Sequence, residues 1–305
     1  MMPATDTVLT QFSPLYAPKT AAYSDWRAKK LAWWPSNPDA LKIGIESLET
    51  VPMQKIHAIK NLCEKTNIAI YECENDSVSP EKILTFSKRF GLGERDMHLL
   101  SDEDGITALE NKDKGADKTY IPYTNKGLNW HTDGYYNDPS HRIRSMLLHC
   151  ERAAERGGET SFLDPEIAYI YLCDENPAYI EALSHPETMT IPANIEAGQN
   201  TEIRPVQSGP VFELDDATGH LYMRYTTRKR NVEWRNDPIT QDALAFLRAL
   251  LDDEDGPALS IKLQPGQGIL TNNALHCRTA FEDSEDKMGR RLYRGRFFDR
   301  IADPQ

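Results

Sequence analysis

The sequence predicts a mainly β protein with flanking helices, arranged as a sandwich or barrel. Three observations carry that expectation. From Thr119 onward, short apolar or alternating runs recur between Gly and Pro turns. Before that point, apolar residues recur at helical spacing instead. No internal repeat or low-complexity linker divides the 305 residues, a length that suits one large domain or two modest ones. Residues 1–52 are expected to pack as an extension on a barrel domain formed by 53–305.

Pro14, Pro18, Pro35, Pro38 and Pro52 punctuate the first stretch, leaving a short helix near Tyr23–Trp34. Met53–Lys65 reads as a helix, because Ile56, Ile59, Leu62 and Cys63 fall on one face. Asn67–Glu72 reads as a strand. Ser79 caps a second helix, with Pro80 in its first turn, running to about Phe90. Gly91 ends it, and a polar stretch, Ser101–Lys118, reads as a solvated loop or a mobile lid. Strands are expected over Thr119–Tyr123, Arg142–Glu151, Glu159–Leu163, Glu202–Leu214, His220–Tyr225, Ala258–Leu263, Gly268–Thr271 and Arg291–Asp299. Helices interrupt them at Pro165–Cys173, Asn176–Leu183 and Pro238–Leu251. In the last, Asp237 caps and Leu244, Leu247 and Leu251 form a core-facing stripe.

Composition narrows the function classes. The chain is 39% hydrophobic and 27% charged, with a formal net charge of −12. An acidic balance argues against nucleic acid, which needs a basic face to neutralise phosphate. It is compatible with a cationic substrate, although solubility alone accounts for it. No apolar run approaches the roughly 20 residues of a membrane span. Met1–Thr10 has neither a basic nor an apolar segment of the secretory kind, so no signal is expected. The five cysteines are odd in number and form no C-x-x-C pair. A reducing, cytoplasmic location is expected.

His131-Thr132-Asp133 places an imidazole and a carboxylate two residues apart. On an extended strand such residues share a face, about 6–7 Å apart. With one more histidine they make the 2-His-1-carboxylate set of non-heme iron(II) oxygenases. The pattern is weak alone, since His149/Glu151 and His185/Glu187 repeat it. Pro186 puts the last in a turn. His149 follows Met146-Leu147-Leu148, which suits a hydrogen-bonded core histidine. His131/Asp133 lies between Trp130 and Gly134-Tyr135-Tyr136, where aromatic walls and a glycine suit a site. His276 is the candidate third ligand, following Leu270-Thr271-Asn272-Asn273. Downstream, Arg291, Tyr293, Gly295, Phe297 and Asp299 share a strand face. There Arg291 either grips a carboxylate, with Gly295 leaving room for a ligand, or joins a salt-bridged surface strand.

These residues resemble the taurine dioxygenase superfamily, and within it the γ-butyrobetaine and trimethyllysine hydroxylases. The resemblance runs from Tyr120 to the C-terminus and rests on four blocks. They are Tyr123-Thr124 before His131–Asp133; Leu147–Cys150 before Gly157-Gly158-Glu159-Thr160; Arg224–Thr227 with Arg230; and His276-Cys277-Arg278 leading to Arg291–Asp299. The helix–strand–helix of Met53–Gly91 resembles the usual lead-in.

The resemblance implies a double-stranded β-helix that uses iron(II), 2-oxoglutarate and O2. It places iron on His131, Asp133 and His276, and the far carboxylate of 2-oxoglutarate on Arg291 with Thr160. It implies hydroxylation of an aliphatic C–H in a small polar substrate, with succinate and CO2 as coproducts. A quaternary amine or amino-acid-like compound is the expected substrate, and a homodimer the expected assembly. The carboxylate of Asp133 favours hydroxylation over halogenation. Tyr123 aligns with a tyrosine that holds a quaternary ammonium by cation–π attraction. Tyr135, Tyr136, Tyr225, Trp130 and Trp234 are further aromatic candidates, and Arg224 a candidate for an anionic group.

The sequence departs from γ-butyrobetaine hydroxylase in lacking its zinc module, in carrying Thr226-Thr227 where that enzyme has paired asparagines, and in the segment after Asp133. Hydroxylation leading to C–N or C–S cleavage remains an alternative. So do a zinc hydrolase on the same ligands and a non-catalytic metal-binding barrel.

Overall fold

Two local signals set most element boundaries: side-chain caps at helix starts and prolines that break strands. In the computed structural model, the described residues are 16–18, 20–73, 78–97, 105–111, 121–195, 202–284 and 288–301. The labelled elements, in chain order, are α1 (Ala21–Trp33), β1 (Lys42–Ile45), α2 (Met53–Thr66), β2 (Ile68–Cys73), α3 (Pro80–Lys88), β3 (Ile106–Glu110), β4 (Leu128–His131), β5 (Ser145–Arg152), β6 (Thr160–Leu163), α4 (Pro165–Glu175), α5 (Pro177–Leu183), β7 (Met189–Ile191), β8 (Gln207–Gly209), β9 (Glu233–Trp234), α6 (Pro238–Asp252), β10 (Leu259–Ile261), β11 (Gln267–Thr271), β12 (Leu275–Arg278) and β13 (Arg291–Phe297). Thr20, Ser79, Asn176 and Asp237 each accept a backbone N–H at a helix start.

Contacts divide the chain into two compact units. One comprises Met1–Trp34, Gly134–Pro139 and Pro165–Ala258; the other comprises Pro35–Asp133, Ser140–Asp164 and Leu259–Gln305. The expected division at residue 52 is therefore not where contacts divide. Residues 35–52 belong with the sheets because β1 pairs in parallel with β2.

The second unit is built on two larger sheets, with a short two-stranded pairing of Phe281–Glu282 and Arg156–Gly157 beside them. The six-stranded sheet runs β1-β2-β11-β5-β13-β3, and the four-stranded sheet runs β10-β6-β12-β4. Side chains alternate across β13. Tyr293 and Phe297 join Leu147, Leu270, Ile59, Cys63, Ile83 and Phe86 in one apolar cluster, so α2 and α3 cover that face. Arg294 and Arg296 stand on the opposite face, in register with Leu148 and Met146.

The first unit is helical with short strands. α4 is buried on nearly every side, as a helix apolar all round must be. α6 buries only Thr240, Ala243, Leu244, Leu247 and Leu251. Lys30 and Glu166 form a buried ion pair, and Tyr16 Oη donates to Glu166 Oε1 at 2.9 Å.

The architecture is mainly β with flanking helices, as expected, with local differences. The Ser101–Lys118 stretch contains β3, an edge strand pairing antiparallel with β13; residues 101–104 and 112–118 lie outside the described residues. Of the strand expected at Thr119–Tyr123, Ile121–Tyr123 forms a 3-10 turn, where Pro122 lacks the N–H a ladder needs; Thr119 and Tyr120 lie outside the described residues. The expected strand Glu202–Leu214 is three, Glu202–Arg204, Gln207–Gly209 and Phe212–Leu214, with Pro205 and Pro210 at the breaks. No helix of the described residues is long and apolar enough to cross a membrane.

Candidate metal and cosubstrate site

β4 ends at His131, and a turn begins at once. Gly134 has φ +68°, a conformation a Cβ disfavours. Asp133 thus lies beyond the strand rather than within it. β12 pairs antiparallel with β4 so that His276 is directly opposite His131, and the two rings lie 4.3 Å apart. Opposed residues of an antiparallel pair project to one face. One ligand atom from each of His131, Asp133 and His276 falls within 4.8 Å of the others, the one such group among the described residues.

The donor set fits a divalent transition metal. His131 Nδ1 lies 2.8 Å from Asn129 O, and His276 Nδ1 lies 2.9 Å from Ala274 O. Each Nδ1–H donates there, which leaves each Nε2 lone pair for a metal. Burial, then the neighbouring His276, pushes His131 down to about 3, so it stays neutral. Burial alone would raise the Asp133 carboxyl, but Arg294 and Arg296 overcome it and hold the group well below the usual range. Asp133 Oδ1 is 3.7 Å from Arg294 Nη1 and 3.9 Å from both Arg296 Nη1 and His131 Nε2. Asp133 Oδ2 is buried without a hydrogen-bond partner. A buried, charged, unpartnered oxygen is costly unless a ligand meets it.

The register extends this face. His276 opposes Phe162, and Arg278 opposes Thr160. Arg278 donates to the carbonyls of Thr124 (2.8 Å) and Lys126 (2.5 Å). Burial, then Arg290 and Arg294, pushes it down to about 9. Arg290 is 5% exposed. Its backbone N–H donates to Asp283 Oδ1 at 2.7 Å, and its guanidinium lies over the Phe281 ring at 5.0 Å. A Cβ at Gly158 would lie 3.3 Å from Arg290 Nε, so this glycine makes room for the arginine. Among the described residues no carboxylate pairs with the Arg290 guanidinium.

The family model for taurine catabolism dioxygenases, TauD and TfdA, matches residues 73–295. The chain belongs to this family. It is a 2-oxoglutarate-dependent dioxygenase, using iron(II), 2-oxoglutarate and O2. Two relatives are uridine-5′-phosphate dioxygenases. One, from Streptomyces sp, is 30% identical over 68% of this chain and 75% of its own length. The other, from Amycolatopsis sp, is 32% identical over 53% of this chain, and the match spans only 58% of that protein. Neither is a γ-butyrobetaine or trimethyllysine hydroxylase, so that finer resemblance is not shown. A solved asparagine oxygenase in complex with Fe(II), hydroxyasparagine and succinate shares the fold. It is 18% identical, with TM-score 0.58, over 95% of this chain and 87% of that one.

Within this TauD/TfdA chain, the remaining candidates fall in different places. Arg291 does not share the face of the triad. β13 pairs without a break with β3 from Arg291 to Gly295, so plain alternation puts Arg291 with Tyr293 and opposite Arg294. Arg291 Nε lies 3.3 Å from Glu151 and 3.7 Å from Glu110, and its guanidinium covers Tyr293. It is the salt-bridged strand residue of the alternative reading. Gly295 leaves no room for a ligand either, because a Cβ there would lie 2.8 Å from the Phe297 ring. Arg290 and Arg294 are not among the residues expected from the sequence; the Arg290-Arg291 doublet is the available signal, and strand alternation groups Arg290 with Arg294.

Thr160 is buried on the triad face, and Tyr123 is buried in its 3-10 turn. In the other unit, Tyr135 and Tyr136 meet edge to face at 5.1 Å. Arg224 donates to the carbonyls of Tyr135 (2.5 Å), Met189 (3.0 Å) and Gln207 (2.9 Å). That is packing and leaves it little to offer an anion. Tyr225 is buried beside Trp234, 5.8 Å away, and burial pushes its phenol far above the ordinary range. His149 Nδ1 lies 3.0 Å from Tyr71 Oη, and His185 Nδ1 accepts the Glu187 N–H in a turn. Both have the local roles expected of non-ligands.

Proposed function

We propose that His131, Asp133 and His276 hold iron(II), that Arg290 and Thr160 take the far carboxylate of 2-oxoglutarate, and that the substrate is a small phosphate ester of the nucleoside 5′-monophosphate class. The two sheets, with both histidines on the four-stranded one and Arg294 of the six-stranded one 3.7 Å from Asp133, support a double-stranded β-helix. The observation that carries the substrate class is Arg294. It is buried, its Nε has no partner, and its nearest carboxylate, on Asp133, is 3.7 Å away. With Arg290 and Arg278 nearby in charge, this face repels a quaternary ammonium and attracts an anion. The two uridine-5′-phosphate dioxygenases support the same class.

In this reading each residue has a physical task. The carbonyls of Asn129 and Ala274 fix the imidazole rings. Asp133 remains ionised across the working pH range. Arg294 anchors the substrate's phosphate and so decides which carbon faces the metal. When bound, iron and 2-oxoglutarate supply the oxidation: one C–H becomes C–OH, and 2-oxoglutarate with O2 becomes succinate and CO2.

The test has two stages. Anaerobic addition of iron(II) and 2-oxoglutarate to wild type should give the weak visible charge-transfer band of the chelate, and Asp133→Ala should give none. Succinate release is then compared for uridine 5′-phosphate, uridine and γ-butyrobetaine. Release with the phosphate ester alone, with a raised KM in Arg294→Ala, is expected. Equal turnover of uridine or of the amine overturns the substrate class but leaves the metal assignment standing.

A further inference from the structure

The turn between β11 and β12 carries two adjacent asparagines with opposite duties. Asn272 faces the fold. Its backbone N–H donates to Asn67 O (2.8 Å), its Nδ2 to Asn67 Oδ1 (3.2 Å), and its Oδ1 accepts from the Ile301 N–H (3.0 Å). Asn273 faces the triad. Its Oδ1 accepts the Asp133 N–H at 2.8 Å, and its Nδ2 donates to the carbonyls of Asp133 (3.0 Å) and Ile143 (2.7 Å). It is 4% exposed and sits at φ +49°.

Asp133 lies past the end of β4, so no ladder partner holds its peptide. A buried peptide group still requires a donor and an acceptor. A carboxamide supplies both at once, from two separate atoms. Asparagine also tolerates the left-handed backbone of this turn better than other non-glycine residues. Three residues later the same turn delivers His276, whose Nδ1 is fixed by Ala274 O. The segment that presents one histidine ligand therefore grips the peptide of the carboxylate ligand from both sides.

We propose that Asn273 is a positioning residue for the metal centre, fixing Asp133 relative to His276. The inference rests on the triad holding the metal. Outer partners of metal ligands typically change affinity by about 10–100-fold, and loss of the Asn273 side chain belongs in that range.

The experiment titrates Co(II) alone into apo-protein, read by its visible absorption, in wild type, Asn273→Gly and Asn272→Ala. Glycine accepts the positive φ, so it removes the grip without adding strain. Melting temperature is measured alongside. Expected are a lower melting temperature in both variants and weaker Co(II) binding, with an altered spectrum, in Asn273→Gly alone. If Asn273→Gly does not fold, Asn273→Asp replaces it. That variant keeps the shape and one acceptor but loses both donors, so weaker binding despite an added negative charge supports the role. Co(II) affinity within twofold of wild type, or an equal loss in Asn272→Ala, overturns the proposal. Failure of wild type itself to bind Co(II) overturns the triad reading, and this inference with it.

Discussion

Arg224 and Arg290 are both buried guanidiniums, at 7% and 5% exposure, in different units of the molecule. Arg224 is spent on three main-chain carbonyls. Arg290 has an aromatic ring beneath it and no carboxylate among the described residues. The contrast extends to their surroundings. The Lys30–Glu166 pair of the first unit is internally matched, with Tyr16 adding a hydrogen bond. On the triad face, Asp133 Oδ2 and Arg294 Nε are buried without partners. Desolvating a charge without pairing it is expensive. A fold keeps such groups where a ligand completes them, so the unmatched set marks chemistry and the matched set marks structure.

The sharpest way to break that distinction is to exchange neighbours. Removing a desolvated partner of a bound carboxylate costs about 3 kcal/mol, on the order of a hundredfold. Arg290→Ala should raise the KM for 2-oxoglutarate by about that factor. Arg291→Ala should leave it within about twofold, because a half-exposed ion pair is worth roughly 0–1 kcal/mol. Steady-state succinate formation at varied 2-oxoglutarate decides it. The reverse ranking would return the cosubstrate to Arg291 and dissolve the contrast.

Arg224→Leu probes the matched side. It removes the side-chain donor to three carbonyls, and a buried group left unsatisfied costs about 1–3 kcal/mol, partly offset by relaxation. A net loss of about 2–3 kcal/mol in unfolding free energy by denaturant titration is expected, with Co(II) affinity unchanged. A stable Arg224→Leu protein that binds substrate poorly would instead restore Arg224 to the anion-binding role.

What the sequence disclosed follows the same line. Caps and strand breaks are local, so Ser79-Pro80, Asp237-Pro238 and the core stripe of α6 were readable from neighbours alone. The convergence of His131, Asp133 and His276 was readable because few residue types bind iron and their company narrowed the choice. Arg290 was not, because alternation along β13 separates Arg291 and Tyr293 from Arg294 without saying which of the two faces meets the triad. Asn273 stands in the His276 segment, yet its partner lies 140 residues away. β3 escaped because an edge strand inside a polar stretch lacks the apolar run that marks a central one.

The smallest effect belongs to the cap of α6, a matched group at the surface. Asp237 accepts the Thr240 N–H at 3.1 Å and the Thr240 hydroxyl at 2.6 Å. The bond from the Thr240 side chain, opposed by slight burial and helped by the backbone N–H and Arg235, holds this carboxyl below its usual range. Its folded pKa therefore lies below the unfolded value of about 3.9. The sign follows: its charge-dependent stabilisation is complete above that value and is lost as pH falls through the folded pKa. Asp237→Ala should cost about 1 kcal/mol at pH 7, and the gap to wild type should narrow below about pH 4. Asp237→Asn keeps the acceptor without the titration, so its gap to Asp237→Ala should stay flat. Denaturant midpoints at pH 7 and pH 3 measure both. A wild-type gap that widens on acidification would mean that the carboxylate is not what caps this helix, and that this end of the unit is less well matched than Arg224 makes it look.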